Sequence, residues 1–299
     1  MDNLERVRNG LVPSIVKSQI EKMVFNYTAP RIKKQVLLKN KFGGCPVFCI
    51  VHWNAPDFLL LNVSQIEFLY PNSKIYILDN GSQQICIYDI VKGLKRFKNI
   101  TLFAASPGYP NWETRIGADH WLYSHAKGLQ FLLNYAAEQQ DEVAVFLDQD
   151  CLSSGNIGDL IAKLGRNVML IGARARTGDK VVHASFMILQ PKRIKQLFGK
   201  FSLFHERTNS FEPYHGLSFK TQGKILFLES TPNEKIPLFT SYSFQGTTYA
   251  WHAWYSSRTT LLPAKMLLSG NLSIPYLQSV RKLAYDYLKQ IHEETTRRR

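Results

Sequence analysis

Acidic residues are scarce in this chain, with 23 Asp and Glu against 37 Lys and Arg and a formal net charge of +14. That balance calls for an anionic partner, which could be nucleic acid, an anionic membrane surface or a phosphorylated small substrate. The basic clusters, at Arg31–Lys34, Lys92–Lys98, Lys192–Lys200 and Arg297–Arg299, are scattered and form no known nucleic-acid motif. Cysteine is scarce too. Cys45, Cys49, Cys86 and Cys151 show no CxxC spacing, so neither a zinc ribbon nor a disulfide framework is expected, and buried reduced thiols are. No apolar run reaches membrane-spanning length. The first twenty residues mix charge and polarity instead of forming a signal sequence, so a cytoplasmic location is expected. On that expectation Asn-x-Ser/Thr matches such as those at Asn26, Asn62, Asn99 and Asn271 are chance ones. No internal repeat or low-complexity tract is present.

What is present is an alternation of strand and helix patterns. The chain of 299 residues is 45% hydrophobic, enough for one large domain or two small ones. Residues 1–44 read as a basic helical lead-in ending at Gly43-Gly44. Val47–Val51 reads as a buried strand, and Pro56 sits where a first helical turn tolerates it. Leu59, Leu60, Val63, Ile66 and Leu69 then form a helical stripe. Lys74–Leu78 is a second strand closed by the turn Asp79-Asn80-Gly81-Ser82, and Ile100–Phe103 is a third. A long helix is expected over Asp119–Gln139, and strands over Val168–Ile171 and Ala184–Leu189, the latter followed by a basic helix from Pro191. From about Pro275 a further helix carries Leu277, Val280, Ala284, Leu288 and Ile291 on one stripe. This stripe either packs on the domain or lies on a membrane surface. The repetition argues for a mainly parallel sheet covered on both faces.

The segment Val143–Asp150 holds the densest information. Five apolar residues lead into Asp148-Gln149-Asp150, as a strand buried on both faces would at its carboxyl end. Open α/β sheets bind ligands at that edge. Paired carboxylates repel unless a cation lies between them, and hard oxygens suit Mg²⁺ or Mn²⁺, which commonly also hold substrate phosphates. Taken alone, such a pair is more often a helix cap and a solvent-facing side chain, so the surroundings must decide. Two further polar signals fall at strand ends, His52-Trp53-Asn54 and Asp79-Asn80-Gly81-Ser82, and neighbouring parallel strands would bring all three to one crevice.

These motifs, in this order, resemble the GT-A glycosyltransferases, particularly the family-2-like group. The match is carried by Leu78-Asp79-Asn80-Gly81-Ser82, His125-Ala126-Lys127-Gly128-Leu129 and Phe146-Leu147-Asp148-Gln149-Asp150, and covers roughly residues 45–255. The resemblance implies a GT-A (Rossmann-like) mixed, mainly parallel sheet flanked by helices. Residues 1–44 would be a helical extension, 45–255 the transferase domain and 256–299 a helical tail packed on it. It implies that Asp79 and Asn80 meet the nucleotide base and that His52, Trp53 and Asn54 lie against the nucleoside. Asp148 and Gln149 would meet the ribose or the metal's water shell, and Asp148 and Asp150 would hold the metal. His125 and Lys127 would reach the phosphates, with an exposed helix face as the alternative.

The family's paired acidic "ED" is missing from Phe211–Leu217, so the catalytic base is open among Glu212, Asp179 and His215, in that order of preference. A histidine late in the family's domain often completes the metal site, which nominates His252; a half-buried histidine among aromatics is its alternative. Arg174 and Arg176 are candidates to clamp an anion, and Tyr109, Trp112, Trp251 and Trp254 to stack on a sugar.

The implied activity is metal-dependent transfer of a sugar from a nucleoside-diphosphate donor to a glycan, lipid-linked or protein hydroxyl, with inversion preferred. Peripheral membrane contact through basic helices is an accompanying expectation, and nucleic acid is not expected as a partner. Two rivals stand beside it. A nucleotidyltransferase would carry a Gly-rich basic loop where this chain has His52-Trp53-Asn54-Ala55-Pro56. A non-catalytic basic module for RNA or anionic lipid would need neither aspartate and would bind with steep salt dependence.

Overall fold

The structure is a computed structural model and describes residues 32–38, 45–105, 120–165, 167–174, 182–196, 200–205, 210–218, 225–237, 239–253 and 274–298. In its first half, β1 (Ile32–Leu38) precedes β2 (Val47–His52), α1 (Pro56–Leu69), β3 (Ile75–Asp79), α2 (Gln84–Leu94), β4 (Ile100–Ala105) and α3 (His120–Glu138). Next come β5 (Ala144–Asp148), β6 (Cys151–Ser153), α4 (Ile157–Ile161), β7 (Leu170–Arg174), β8 (Val182–Leu189) and α5 (Pro191–Gln196). The remainder comprises β9 (Lys200–His205), β10 (Ser210–Ser218), β11 (Ile225–Pro232), β12 (Phe239–Phe244), β13 (Thr247–Ala253) and α6 (Ile274–Arg297).

These strands join in one 13-stranded sheet whose main path runs β1-β4-β3-β2-β5-β8-β7-β11-β12-β13-β6. The pairs β3–β4, β2–β3, β2–β5 and β7–β11 are parallel, while β8 runs antiparallel between β5 and β7. The result is a mixed sheet flanked by helices and parallel through its central block β4-β3-β2-β5, consistent with a GT-A, Rossmann-like fold.

The central strands alternate faces as the period of two demands. Phe48 and Ile50 of β2, with Val145 and Leu147 of β5, enter one core with Leu59, Val63 and Ile66 of α1 and Ile90 and Leu94 of α2. Val47, Cys49 and Val51, with Ala144 and Phe146, enter the opposite core with Leu129, Leu132, Leu133 and Ala136 of α3. Gly128 lets α3 lie close against the sheet, because a Cβ there would fall 3.0 Å from Val51 and 3.1 Å from Leu78.

Three departures from the sequence pattern matter. Part of the expected helical lead-in, Ile32–Leu38, is a strand that pairs antiparallel with β4 and covers what would otherwise be the open edge of the parallel block. The strands β9 to β13, whose pairings are antiparallel apart from that of β11 with β7, are not announced by apolar runs. Finally, α1 is buried on two faces. Phe58 and Leu61 pack in a third cluster with Ala284 and Leu288 of α6 and with Phe239 and Ala253. Ala284 and Leu288 of the α6 stripe are therefore buried against these residues, with Ile291 partly so. Arg281 reinforces the contact, donating to Asp57 at 2.7 Å and lying 4.9 Å over the Phe58 ring. No helix among the described residues is long and apolar enough to cross a membrane.

Candidate functional site at the carboxyl edge of the sheet

Parallel strands deliver their last residues to the same edge, so His52, Asp79 and Asp148 end β2, β3 and β5 side by side. Val51 is in register with Leu78 on one side and with Asp148 on the other. Two residues, Gln149 and Asp150, separate β5 from β6. Because β6 is also the far terminus of the sheet path, the later strands must return to this point. Its last pairing sets His252 opposite Cys151, and the Ala253 N–H donates to the Asp150 carbonyl at 3.0 Å. Chain segments about a hundred residues apart thus meet at one turn.

The meeting produces a cluster of three ligating side chains. One donor atom each from Asp148, Asp150 and His252 lies within 4.8 Å of the others, making a group able to hold a metal ion among the described residues. His252 Nε2 stands 3.3 Å from Asp150 Oδ1 and 3.6 Å from Asp148 Oδ2. On the other side of Asp148, His125 Nε2 of α3 is 3.3 Å from Oδ1, a buried oxygen with no well-formed hydrogen bond. Two carboxylates and an imidazole nitrogen are a donor set that Mn²⁺ or Mg²⁺ accepts.

The electrostatics agree. Burial alone would raise the Asp148 carboxyl, but His125, His252 and His183 outweigh it and hold the group below the usual carboxylate range. Burial alone would lower His252, but the Asp150 and Asp148 carboxylates outweigh it, so its net shift is upward from 6.5. His183 falls to about 4, because its burial and the neighbouring His252 and His125 outweigh the upward pull of Asp148 and Asp150. Burial also lowers Lys127 to about 8.

The loops after β2 and β3 are locked to each other. Asp79 is 1% exposed; its Oδ2 accepts from His52 Nδ1 at 2.9 Å and from Ser82 Oγ at 2.5 Å, while Oδ1 accepts from the Ser82 N–H at 3.0 Å. The Ala55 N–H donates to His52 Nε2 at 3.1 Å, which places the ring proton on Nδ1. Asn54, at φ +50°, donates its N–H to Ser82 Oγ at 2.9 Å and accepts from the Gln83 N–H at 2.8 Å. Gly81, at φ +85°, supplies the left-handed residue this turn requires. The Asn80 N–H donates to the His52 carbonyl at 2.8 Å. Asp79 and His52, expected to face the nucleotide, therefore sit beneath the loops and shape them.

Gln149 ties that pair of loops to the cluster. Its Oε1 accepts from the Trp53 N–H at 2.7 Å and its Nε2 donates to the Trp53 carbonyl at 3.2 Å, so one side chain holds both polar groups of that residue's backbone. Sequence reasoning missed the supports below. Asn62 of α1 donates to the Asp148 carbonyl at 3.2 Å, and Gln65 to the Ser153 carbonyl at 3.1 Å. Both polar positions interrupt an apolar helix, and that interruption is the signal that could have found them.

Other candidates are placed less closely. Glu212 and His215 lie on β10, whose Gly216 pairs with His183 of β8. Arg174 ends β7, and Trp251 pairs with Leu152 of β6. Asp179, Arg176, Tyr109, Trp112 and Trp254 lie outside the described residues.

No family model matches the sequence, and no curated protein does. Several solved structures similar to the chain are glycosyltransferases. A mannosyltransferase from Pyrobaculum calidifontis, PcManGT, in complex with GDP-Man and Mn²⁺, is 14% identical over 98% of this chain and 83% of its own, with a TM-score of 0.40. The galactosyltransferase LgtC, in complex with donor and acceptor sugar analogues, is 14% identical at a TM-score of 0.37, and the match spans 50% of this chain and 59% of that enzyme. The glucosyl-3-phosphoglycerate synthase of Mycobacterium tuberculosis is 12% identical over 54% of this chain and 67% of its own, at a TM-score of 0.32.

Proposed function

We propose that this chain is a metal-dependent glycosyltransferase that moves a sugar from a nucleoside-diphosphate donor to a hydroxyl of a glycan, lipid-linked or protein acceptor. One observation carries the proposal: two carboxylates and an imidazole converge at the carboxyl end of β5, beside two interlocked loops at the ends of β2 and β3. Asp148, Asp150 and His252 would hold Mn²⁺ or Mg²⁺. When bound, the ion would offset the charge that grows on a departing diphosphate.

The chain's own residues do the rest. The loops at His52–Asn54 and Asp79–Ser82 receive the nucleoside, and Trp53 is presented there on a backbone that Gln149 holds on both sides. His125, 3.3 Å from Asp148, borders the phosphate position, and Lys127 adds positive charge from the same helix. Proton removal from the acceptor hydroxyl falls to Glu212 of β10 as first choice, with Asp179 and His215 behind it. Inversion is the preferred outcome. Residues 45–255 form the transferase domain in this proposal, with α6 as its packed tail.

The test is a thermal-shift screen of nucleoside diphosphates and their sugars with and without Mn²⁺. Stabilisation by one nucleotide that requires the metal, and that disappears in Asp150→Ala, supports the proposal. Equal stabilisation of the wild type and Asp150→Ala, or none with any nucleotide, contradicts it.

A further inference from the structure

Behind the cluster lies a buried polar chain that the proposed chemistry does not use. His252 Nδ1 is 3.0 Å from the Tyr242 hydroxyl, which is 2.7 Å from Ser185 Oγ, which in turn is 2.8 Å from His183 Nδ1. All four residues are buried, Ser185 at 0%, Tyr242 at 1%, His252 at 3% and His183 at 6% exposure. Three of these contacts have hydrogens that rotate or tautomerise, so each alone is ambiguous in direction.

A fourth contact removes the ambiguity. The backbone N–H of Ser185 points at His183 Nδ1 at 3.2 Å. A backbone amide can only donate, so that nitrogen carries no proton. The Ser185 hydroxyl must then donate to it, which leaves Ser185 Oγ to accept from the Tyr242 hydroxyl. Tyr242 oxygen is left to accept from His252, whose ring proton therefore sits on Nδ1. The other ring nitrogen, Nε2, faces Asp148 and Asp150.

We propose that His183, Ser185 and Tyr242 form a one-directional relay, set by the Ser185 backbone amide, that fixes the tautomer of His252 and aims the bare Nε2 at the paired aspartates. These three are positioning residues and touch neither ion nor substrate. The proposal rests on His252 being a metal ligand, since outer partners of this kind orient a ligating imidazole. It also accounts for a buried tyrosine hydroxyl and a buried serine in the middle of an otherwise apolar core, where polar groups persist only when fully partnered.

Two measurements on the full chain test it. Mn²⁺ binding, read from the free-ion electron paramagnetic resonance signal without any nucleotide, should weaken by roughly ten- to a hundredfold in Tyr242→Phe. It should weaken less in Ser185→Ala, where the tyrosine hydroxyl remains but loses its orientation. Asp150→Ala is the control that removes a ligand. The second readout is long-range ¹H–¹⁵N spectra of metal-free protein in alkaline buffer. They should show His252 protonated at Nδ1 in the wild type and shifted towards the Nε2–H form in Tyr242→Phe.

Wild-type spectra with the proton on Nε2 would overturn the relay. So would Tyr242→Phe that keeps wild-type Mn²⁺ affinity while Asp150→Ala loses it. If the wild type binds no Mn²⁺ while the tautomer moves as expected, the metal assignment fails and the relay stands. Melting temperatures of each variant separate misfolding from loss of orientation.

Discussion

At the scale of single residues, the account turns on His252. Its pKa is raised above the 6.5 of a free histidine because the Asp150 and Asp148 carboxylates outweigh its burial. In the metal-free protein the protonated ring therefore contributes stability that is fully present below about pH 6.5 and is lost as pH rises through the folded value. His183, lowered to about 4, acts in the opposite sense, since its contribution is lost as pH falls from 6.5 towards 4. Metal-free protein should thus melt highest near pH 6.5, with a decline above it that Mn²⁺ reverses. Scanning calorimetry across that range checks this, and a decline that Mn²⁺ leaves untouched would detach His252 from the ion.

Gln149 gives a second residue-scale prediction. Gln149→Leu leaves the Trp53 N–H and carbonyl without their partners, at a cost of about 1–3 kcal/mol for a buried group left unsatisfied. Nucleotide binding, read by calorimetry, should weaken by roughly tenfold, with Mn²⁺ affinity of the nucleotide-free protein unchanged.

At the scale of elements, the candidate site depends on strands and helices that hold it without entering it. Gly172 of β7 lies against β8, the strand that carries His183 and Ser185. A Cβ at Gly172 would fall 2.4 Å from Val182 Cγ1 and 2.6 Å from the Phe186 carbonyl oxygen, and a carbonyl in a ladder cannot move aside. Gly172→Ala should cost roughly 1–3 kcal/mol, as overpacked cores do, and should weaken Mn²⁺ binding along with stability. The helix α6 works differently: Leu288, 1% exposed, packs with Phe58, Leu61 and Phe239. Leu288→Ala should cost about 2–5 kcal/mol in chemical denaturation yet leave the Mn²⁺ affinity of the folded protein near that of the wild type.

The same scale shows how far the sequence could be read. The buried strands β2, β3 and β5 and the helices α1 and α3 announce themselves because both faces of a covered parallel sheet demand apolar runs. The later strands do not, since β11 (ILFLESTP) runs from half-buried to exposed and β12 (FTSYSF) interleaves Ser and Thr. Asp148, Asp150 and His252 were nominated by motif and family resemblance. The relay was invisible, because it joins Ser185 to Tyr242 and His252 across 57 and 67 positions of chain. Asp79 shows the reverse case. Its motif was legible, but its carboxylate is spent on His52 and Ser82, a detail that only side-chain packing reveals.

At the scale of the whole molecule, the sheet path begins beside β4 and ends at β6, two residues from where β5 stops. That return is what brings a late histidine onto an early pair of aspartates, and it makes the cluster a product of the entire fold. The net charge of +14 gives the molecule as a whole a bias towards anionic partners.

The central claim is that Asp148, Asp150 and His252 jointly grip a divalent ion. Anomalous diffraction at the manganese edge, from crystals soaked with Mn²⁺ and a nucleoside diphosphate, tests it most directly. The account predicts one strong peak within coordination distance of a carboxylate oxygen from each aspartate and of His252 Nε2, with the diphosphate beside it. A peak elsewhere, or none at this turn while the nucleotide is bound, would contradict it.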